Sequence, residues 1–239
     1  MRHHDRMTAD ELWVCRLGTI EYREALALQQ RVRAARQAGA IPDTLLLLEH
    51  PPVYTRGRRS DPSELPMGEA WYEAHGIELV DTDRGGRVTY HGPGQLVGYP
   101  IMRIADVIAY LRTMEQAIVA TLADAGVDAR ARPADGPDFT GVWTDERKIA
   151  SIGVHVARGV TTHGFAINVQ NDLQPFSWVV PCGLDGVQMT SIVKETRCGG
   201  EIPPLAAVRE SVARRFAEAF GRLPVAVQAD RLDAAAPVS

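Results

Sequence analysis

The run Thr44-Leu45-Leu46-Leu47-Leu48-Glu49-His50, halted by Pro51-Pro52, is short, continuously apolar and without alternation. Such a run reads as a strand covered on both faces, so the chain must supply cover for two sides of a sheet. The segment from Ile20 to Ala38 offers one cover. It spaces Tyr22, Leu26, Leu28, Val32 and Ala35 in helical order among Glu, Arg and Gln, and is closed by Gly39 and Pro42. A second helix is predicted from Ala105 to Ala125, with Val107, Ile108, Leu111, Met114, Ile118 and Leu122 on its core face and Gly126 at its end. We read that helix as core packing only. A third amphipathic helix runs from Leu205 to Phe220, and Trp71 to Gly76 reads as a helical turn. Further strands are expected at Ile77–Asp83, Gly141–Trp143, Ile149–Val156 and Thr161–Val169, the last two joined through Ala157-Arg158-Gly159 as an antiparallel hairpin. Arg56 to Gly68 and Ala129 to Asp138 read as loops. With no internal repeat or linker, the expectation is one α/β (α+β) domain over residues 1–239, with a core of about 12–228 and mobile termini.

Charge argues against a basic nucleic-acid binder, because 26 Lys+Arg stand against 30 Asp+Glu, a net charge of −4. No apolar stretch approaches the roughly 18 residues of a spanning helix, and Met1-Arg2-His3-His4-Asp5 leads into polar sequence rather than a signal core. A cytoplasmic protein without membrane partners is expected. Three cysteines, Cys15, Cys182 and Cys198, are too scattered for a disulfide framework or a metal knuckle, and the seven histidines show no ligand spacing. No metal or other cofactor is called for.

Three constellations can carry chemistry. In Asp83-Arg84-Gly85-Gly86-Arg87-Val88-Thr89-Tyr90-His91-Gly92-Pro93-Gly94-Gln95, four glycines and a proline bring backbone close to something or turn it sharply, while Arg84, Arg87, Tyr90 and His91 surround the turn. The plainer reading is a β-hairpin turning at Gly85-Gly86 with no ligand. In Val179-Val180-Pro181-Cys182-Gly183-Leu184, a corner with a small neighbour leaves a thiol approachable. The plainer reading there is an inert buried cysteine. Lys148, in Arg147-Lys148-Ile149-Ala150-Ser151, opens an apolar strand, so its stem can lie along the core edge and its ammonium can lower a nearby thiol's pKa; otherwise it is a surface charge. Third, Thr162-His163-Gly164-Phe165-Ala166-Ile167-Asn168 and Ser151-Ile152-Gly153 place small residues where a strand face can stay shallow enough for an acyl chain, or where another strand packs closely.

The order of these segments, with Leu47 to Thr55 before them and Thr190-Ser191 after, resembles the lipoate biosynthesis octanoyltransferases, the LipB family, over roughly Leu17 to Phe220. The resemblance implies a mixed β-sheet flanked by helices, like the catalytic domains of biotin protein ligases and lipoate ligases. It implies an acyltransferase that moves octanoyl from acyl carrier protein to one lysine of a lipoyl domain, the first step of endogenous protein lipoylation. The acceptors it implies are lipoyl domains of 2-oxoacid dehydrogenase E2 subunits and the glycine cleavage H protein. Cys182 matches the family's nucleophile, which carries a thioester intermediate, and Lys148 the lysine that tunes it. The matched substrate-binding segments are Arg84, Gly85, Gly86, Arg87, Val88, Thr89, Tyr90 and His91; Ser151, Ile152 and Gly153; and Gly164, Phe165 and Ala166.

Thioester exchange followed by amide formation needs no ATP. His91 and backbone amides near the Gly-rich turn are candidates for holding the oxyanion, and Arg56, Arg58 and Arg59 for meeting an acidic carrier. The segment Ala129 to Thr140 matches no family motif, Thr162 stands where an aromatic residue is also acceptable, and Cys15 and Cys198 are read as non-catalytic. Two rivals remain: an ATP-dependent lipoate or biotin ligase, and an acyl- or carrier-binding protein without turnover.

Overall fold

The computed structural model describes residues 10–179, 187–196 and 202–234. Among these, eight strands form one mixed sheet: β1 (Glu11–Thr19), β2 (Asp43–Glu49), β6 (Gln95–Ile101), β7 (Arg130–Ala131), β8 (Gly141–Thr144), β9 (Arg147–Ala157), β10 (Val160–Asn168) and β11 (Leu223–Val227), in the order β11-β1-β2-β6-β10-β9-β8-β7. The β11, β1 and β2 strands are parallel, and from β2 onward every neighbour is antiparallel. A smaller sheet, β4-β3-β5, is built from β3 (Val53–Arg56), β4 (Glu78–Asp81) and β5 (Thr89–His91).

The apolar run is β2, near the centre. Leu45, Leu46, Leu47 and Leu48 are each fully buried, odd positions joining one core and even positions the other. Each such burial is worth roughly 1.5–3 kcal/mol of transfer free energy, which is why this strand tolerates no polar alternation. Helices α3 (Val107–Asp124) and α5 (Leu205–Ala219) cover one face, and α1 (Tyr22–Gln37) and α6 (Ala229–Ala234) the other. Short helices α2 (Glu69–Ala74) and α4 (Ile192–Thr196) complete the set among the described residues. The β9–β10 hairpin turns through Arg158 (φ 48°) and Gly159 (φ 74°), the paired positive angles of a type I′ turn.

Several expectations need correction. The sequence pattern did not reveal β1 or β11, nor that Arg56 ends a strand rather than opening a loop. The Gly85-Gly86 pair is not a hairpin turn, because the strands on either side of it, β4 and β5, each pair with β3 and not with each other. Val107 and Ile108 are 40% and 63% exposed, so the core face of α3 begins one turn later, at Tyr110 and Met114. No helix among the described residues is long and apolar enough to cross a membrane.

Candidate active site

A cavity of about 280 Å³ opens between β9 and β10 of the large sheet and the loop from Arg84 to Val88 that leads into β5. It takes shape because β8 accompanies β9 only as far as Ser151, so that from Ile152 onward a different partner can approach. That partner is the Gly-rich loop: Gly85 N–H donates to Val154 O at 2.9 Å. A Cβ on Gly153 would stand 2.8 Å from Gly85 O, and one on Gly164 2.2 Å from Gly98 O. These glycines therefore serve close backbone approach as well as a shallow wall.

The loop is held by charge buried against backbone. Arg84 is 7% exposed and donates to Thr55 O (2.6 Å), Thr55 Oγ1 (2.7 Å) and Gly85 O (3.0 Å). Glu64 receives Arg87 at 2.6 Å and the Val88 amide at 3.1 Å. Of the expected carrier-facing cations, Arg56 is occupied by Glu69 and Asp81, and Arg59 by Asp138 at 2.9 Å, whereas Arg58 is exposed beside the loop.

Lys148 lines this cavity and is 2% exposed, with its ammonium 5.2 Å from the Trp143 ring centroid. The pairing of β8 with β9 skips Ile149, a bulge that re-aims the side chain beside it. The Lys148 backbone pairs with residues that follow 180–186 in the chain: its N–H donates to Gln188 O at 2.8 Å, and its carbonyl accepts from Thr190 N–H at 2.9 Å. Cys182, the expected nucleophile, lies outside the described residues, as does Cys198; Cys15 is fully buried in β1. No group of His, Cys, Asp or Glu among the described residues is arranged to hold a metal ion.

The structure brings Arg84 to Thr89, His91, Ser151 to Gly153 and Gly164 to Ala166 around the cavity. Tyr90 is the exception. It turns into an aromatic cluster with Tyr54 and Phe176, 5.3 and 5.5 Å away between ring centroids. Sequence reasoning missed Val107 and Leu111, which make the first turn of α3 part of the cavity wall, and Pro137, Asp138 and Thr140 of the unmatched loop. It also missed a buried polar floor.

On that floor His163 sits at φ 57° within β10, its N–H taken by Gln29 Oε1 at 2.7 Å. Its Nε2–H donates to Asp83 at 2.7 Å, which holds that carboxyl at about 2. His50 Nδ1–H donates to Ile20 O and its Nε2 accepts from the Tyr99 hydroxyl, each at 2.7 Å. His91 Nδ1–H donates to Gln95 Oε1 at 2.7 Å, leaving Nε2 as the ring's lone-pair atom. Burial lowers the pKa of all three rings, that of His50 to about 4 and that of His91 to about 3.

Their depressed values make the fold acid-sensitive. The unfolded chain binds protons on these rings below about pH 6.5 while the folded chain does not, so stability is present above that pH and is lost as pH falls toward 4. His50 and His91 carry most of this loss, which is steepest at about pH 5, between the unfolded and folded values of the rings. Urea midpoints measured from pH 7 to pH 4.5 should fall steadily, and a flat series would contradict neutral, buried rings.

Comparison with known proteins places these features in context. Residues 21–217 match the family model described as the lipoyl protein ligase A/B catalytic domain. The chain is 48% identical over 208 residues to an octanoyltransferase of Solibacter usitatus, covering 85% of this chain and 90% of that one. It is 48% identical over 193 residues to an octanoyltransferase of Mycobacterium avium, covering 77% and 78%. Among solved structures, a bi-partite lipoate protein ligase from Thermoplasma acidophilum superposes with a TM-score of 0.72 at 19% identity, over 94% of this chain and 90% of that one.

Proposed function

Because the chain belongs to the octanoyltransferases of the lipoyl protein ligase A/B catalytic family, we propose that it takes octanoyl from the thioester of acyl carrier protein and passes it, through a thioester on Cys182, to one lysine of a lipoyl domain. The acceptors of this reading are lipoyl domains of 2-oxoacid dehydrogenase E2 subunits and the glycine cleavage H protein. The observation that carries it is Lys148: a buried lysine on the cavity wall, its backbone paired to the segment that leaves the stretch holding Cys182.

In the first half-reaction the Cys182 thiol gives its proton to the Lys148 amine. The thiolate attacks the carrier thioester carbonyl, and the carbon–sulfur bond to the carrier breaks. The carrier thiolate leaves with the proton from Lys148. In the second half-reaction the acceptor amine attacks the Cys182 thioester and surrenders a proton to Lys148. The Cys182 thiolate departs and is reprotonated, so the enzyme returns unchanged. The octanoyl chain lies along Ile152, Phe165 and Leu111, with Gly85, Gly86, Ser151, Gly153, Gly164 and Ala166 giving it backbone-lined walls. His91, whose Nδ1–H is committed to Gln95, helps to shape the floor, and Arg58 faces the acidic carrier.

One thioester replaces another and amide formation runs downhill, so nucleotide has no part in this scheme. Octanoyl-acyl carrier protein, a lipoyl domain and the enzyme should yield octanoyl-lysine product after ATP and Mg²⁺ have been removed. Product that appears only when both are restored would support a ligase instead. The lipoate ligase neighbour, at 19% identity, speaks for the shared fold alone.

A further inference from the structure

Glu115 is a carboxylate on the core side of α3 with 1% of its side chain exposed, and nothing in the transfer scheme uses it. Its Oε2 receives Arg112 at 2.5 Å and its Oε1 accepts the Gly141 N–H at 3.1 Å. Gly141, at φ 137°, opens β8 and lies against the end of the Lys148 side chain. A Cβ there would stand 2.7 Å from Lys148 Cε, 3.4 Å from Nζ and 2.5 Å from Ala150 O. The carboxylate thus grips one side of the residue on which the lysine rests.

The bulge at Ile149 and the Trp143 ring, 5.2 Å from the ammonium, also bear on the lysine's direction. We propose that Glu115 is a positioning residue for Lys148, fixing the Gly141 wall through its amide and supplying a buried negative charge that favours the ammonium formed when Lys148 takes the Cys182 proton. Burial raises the Glu115 pKa, while the Gly141 amide, Arg112 and Lys148 oppose that rise, in the same arrangement. Among the described residues, other charged groups near this lysine include Arg112 beside Glu115, Arg132 5.0 Å from the Trp143 ring centroid, the Arg147–Glu195 pair at 3.1 Å on the adjoining residue, and Arg59, Arg84, Arg87 and Asp138 around the same cavity. The inference deepens the proposed transferase reading and rests on Lys148 having the role given there.

The test reads Lys148 itself. Competitive acetylation of the full-length protein across pH, followed by peptide mass spectrometry, gives the pKa of the Lys148 amine. Glu115→Gln keeps an acceptor for the Gly141 amide but removes the charge, and should lower that pKa by about one unit. Glu115→Asp, which retains the charge, should restore most of the shift. Lys148→Met leaves Glu115 in place and, by reciprocity, should raise the Glu115 carboxyl pKa read by ¹³C titration. That arm remains decisive if Glu115→Gln does not fold. An unmoved Lys148 amine in folded Glu115→Gln, or an unmoved Glu115 in Lys148→Met, overturns the inference. A shifted amine with undiminished transfer would uphold it and sink the catalytic role of Lys148 instead.

Discussion

Lys148→Met is expected to lower octanoyl transfer by ~10²- to 10⁴-fold, the range lost when a positioned acid–base group is removed, while the protein stays folded. The folded state survives because methionine preserves the apolar stem along Trp143 and Gly141 and removes a charge that is 2% exposed. The loss should fall mainly on kcat. In the proposed scheme carrier and acceptor bind over the loop and cavity walls, whereas the lysine acts on the proton in flight. A stopped or quenched assay with octanoyl-acyl carrier protein and a lipoyl domain, alongside a thermal melt, separates the two effects. Transfer at the wild-type rate would remove Lys148 from the chemistry. A collapsed melting temperature would make it a structural residue.

The larger loss is expected at Cys182. Cys182→Ser should reduce transfer by on the order of 10⁴-fold or more, because serine offers no thiolate near neutral pH and an oxygen ester is a poorer acyl donor to an amine than a thioester is. Binding of the carrier and the acyl chain should persist, since the cavity walls come from β9, β10 and the Gly-rich loop. A binding protein without turnover would show the same carrier affinity in both forms and no product in either. The proposed transferase should form product only with the thiol.

Much of the large sheet is readable because its central strands carry signals of short range. The Leu45–Leu48 run must be covered twice, and Arg158-Gly159 sits where a two-residue hairpin needs it. The β1 strand escaped notice because Arg16 and Gly18 interrupt it where it shifts register against β2, and β11 because its outward positions are exposed at the sheet's edge. Most of the cavity wall was legible in the ordered motifs, since close backbone approach demands glycine at fixed places in the chain. Tyr90 was read together with its neighbours, but alternation along β5 turns it into the aromatic cluster while Thr89 and His91 face the cavity. Val107 and Leu111 carry the same helical spacing as true core residues, so periodicity could not distinguish a cavity wall from packing. The floor pairs His163 with Asp83 and Tyr22 across 80 and 141 positions, distances over which no local spacing rule operates. One available signal was Gln29, a polar side chain spaced in helical order among Ala25, Leu28 and Val32 on the core face of α1, where it is fully buried.

The most direct measurement is the intact mass of the pure protein mixed with octanoyl-acyl carrier protein in the absence of ATP, followed by peptide mapping and then addition of a lipoyl domain. The account predicts a single octanoyl adduct on the Cys182 peptide that disappears as the acceptor lysine becomes acylated. Acceptor acylated with no adduct on Cys182 at any time, even when the reaction is trapped by acid, would contradict it.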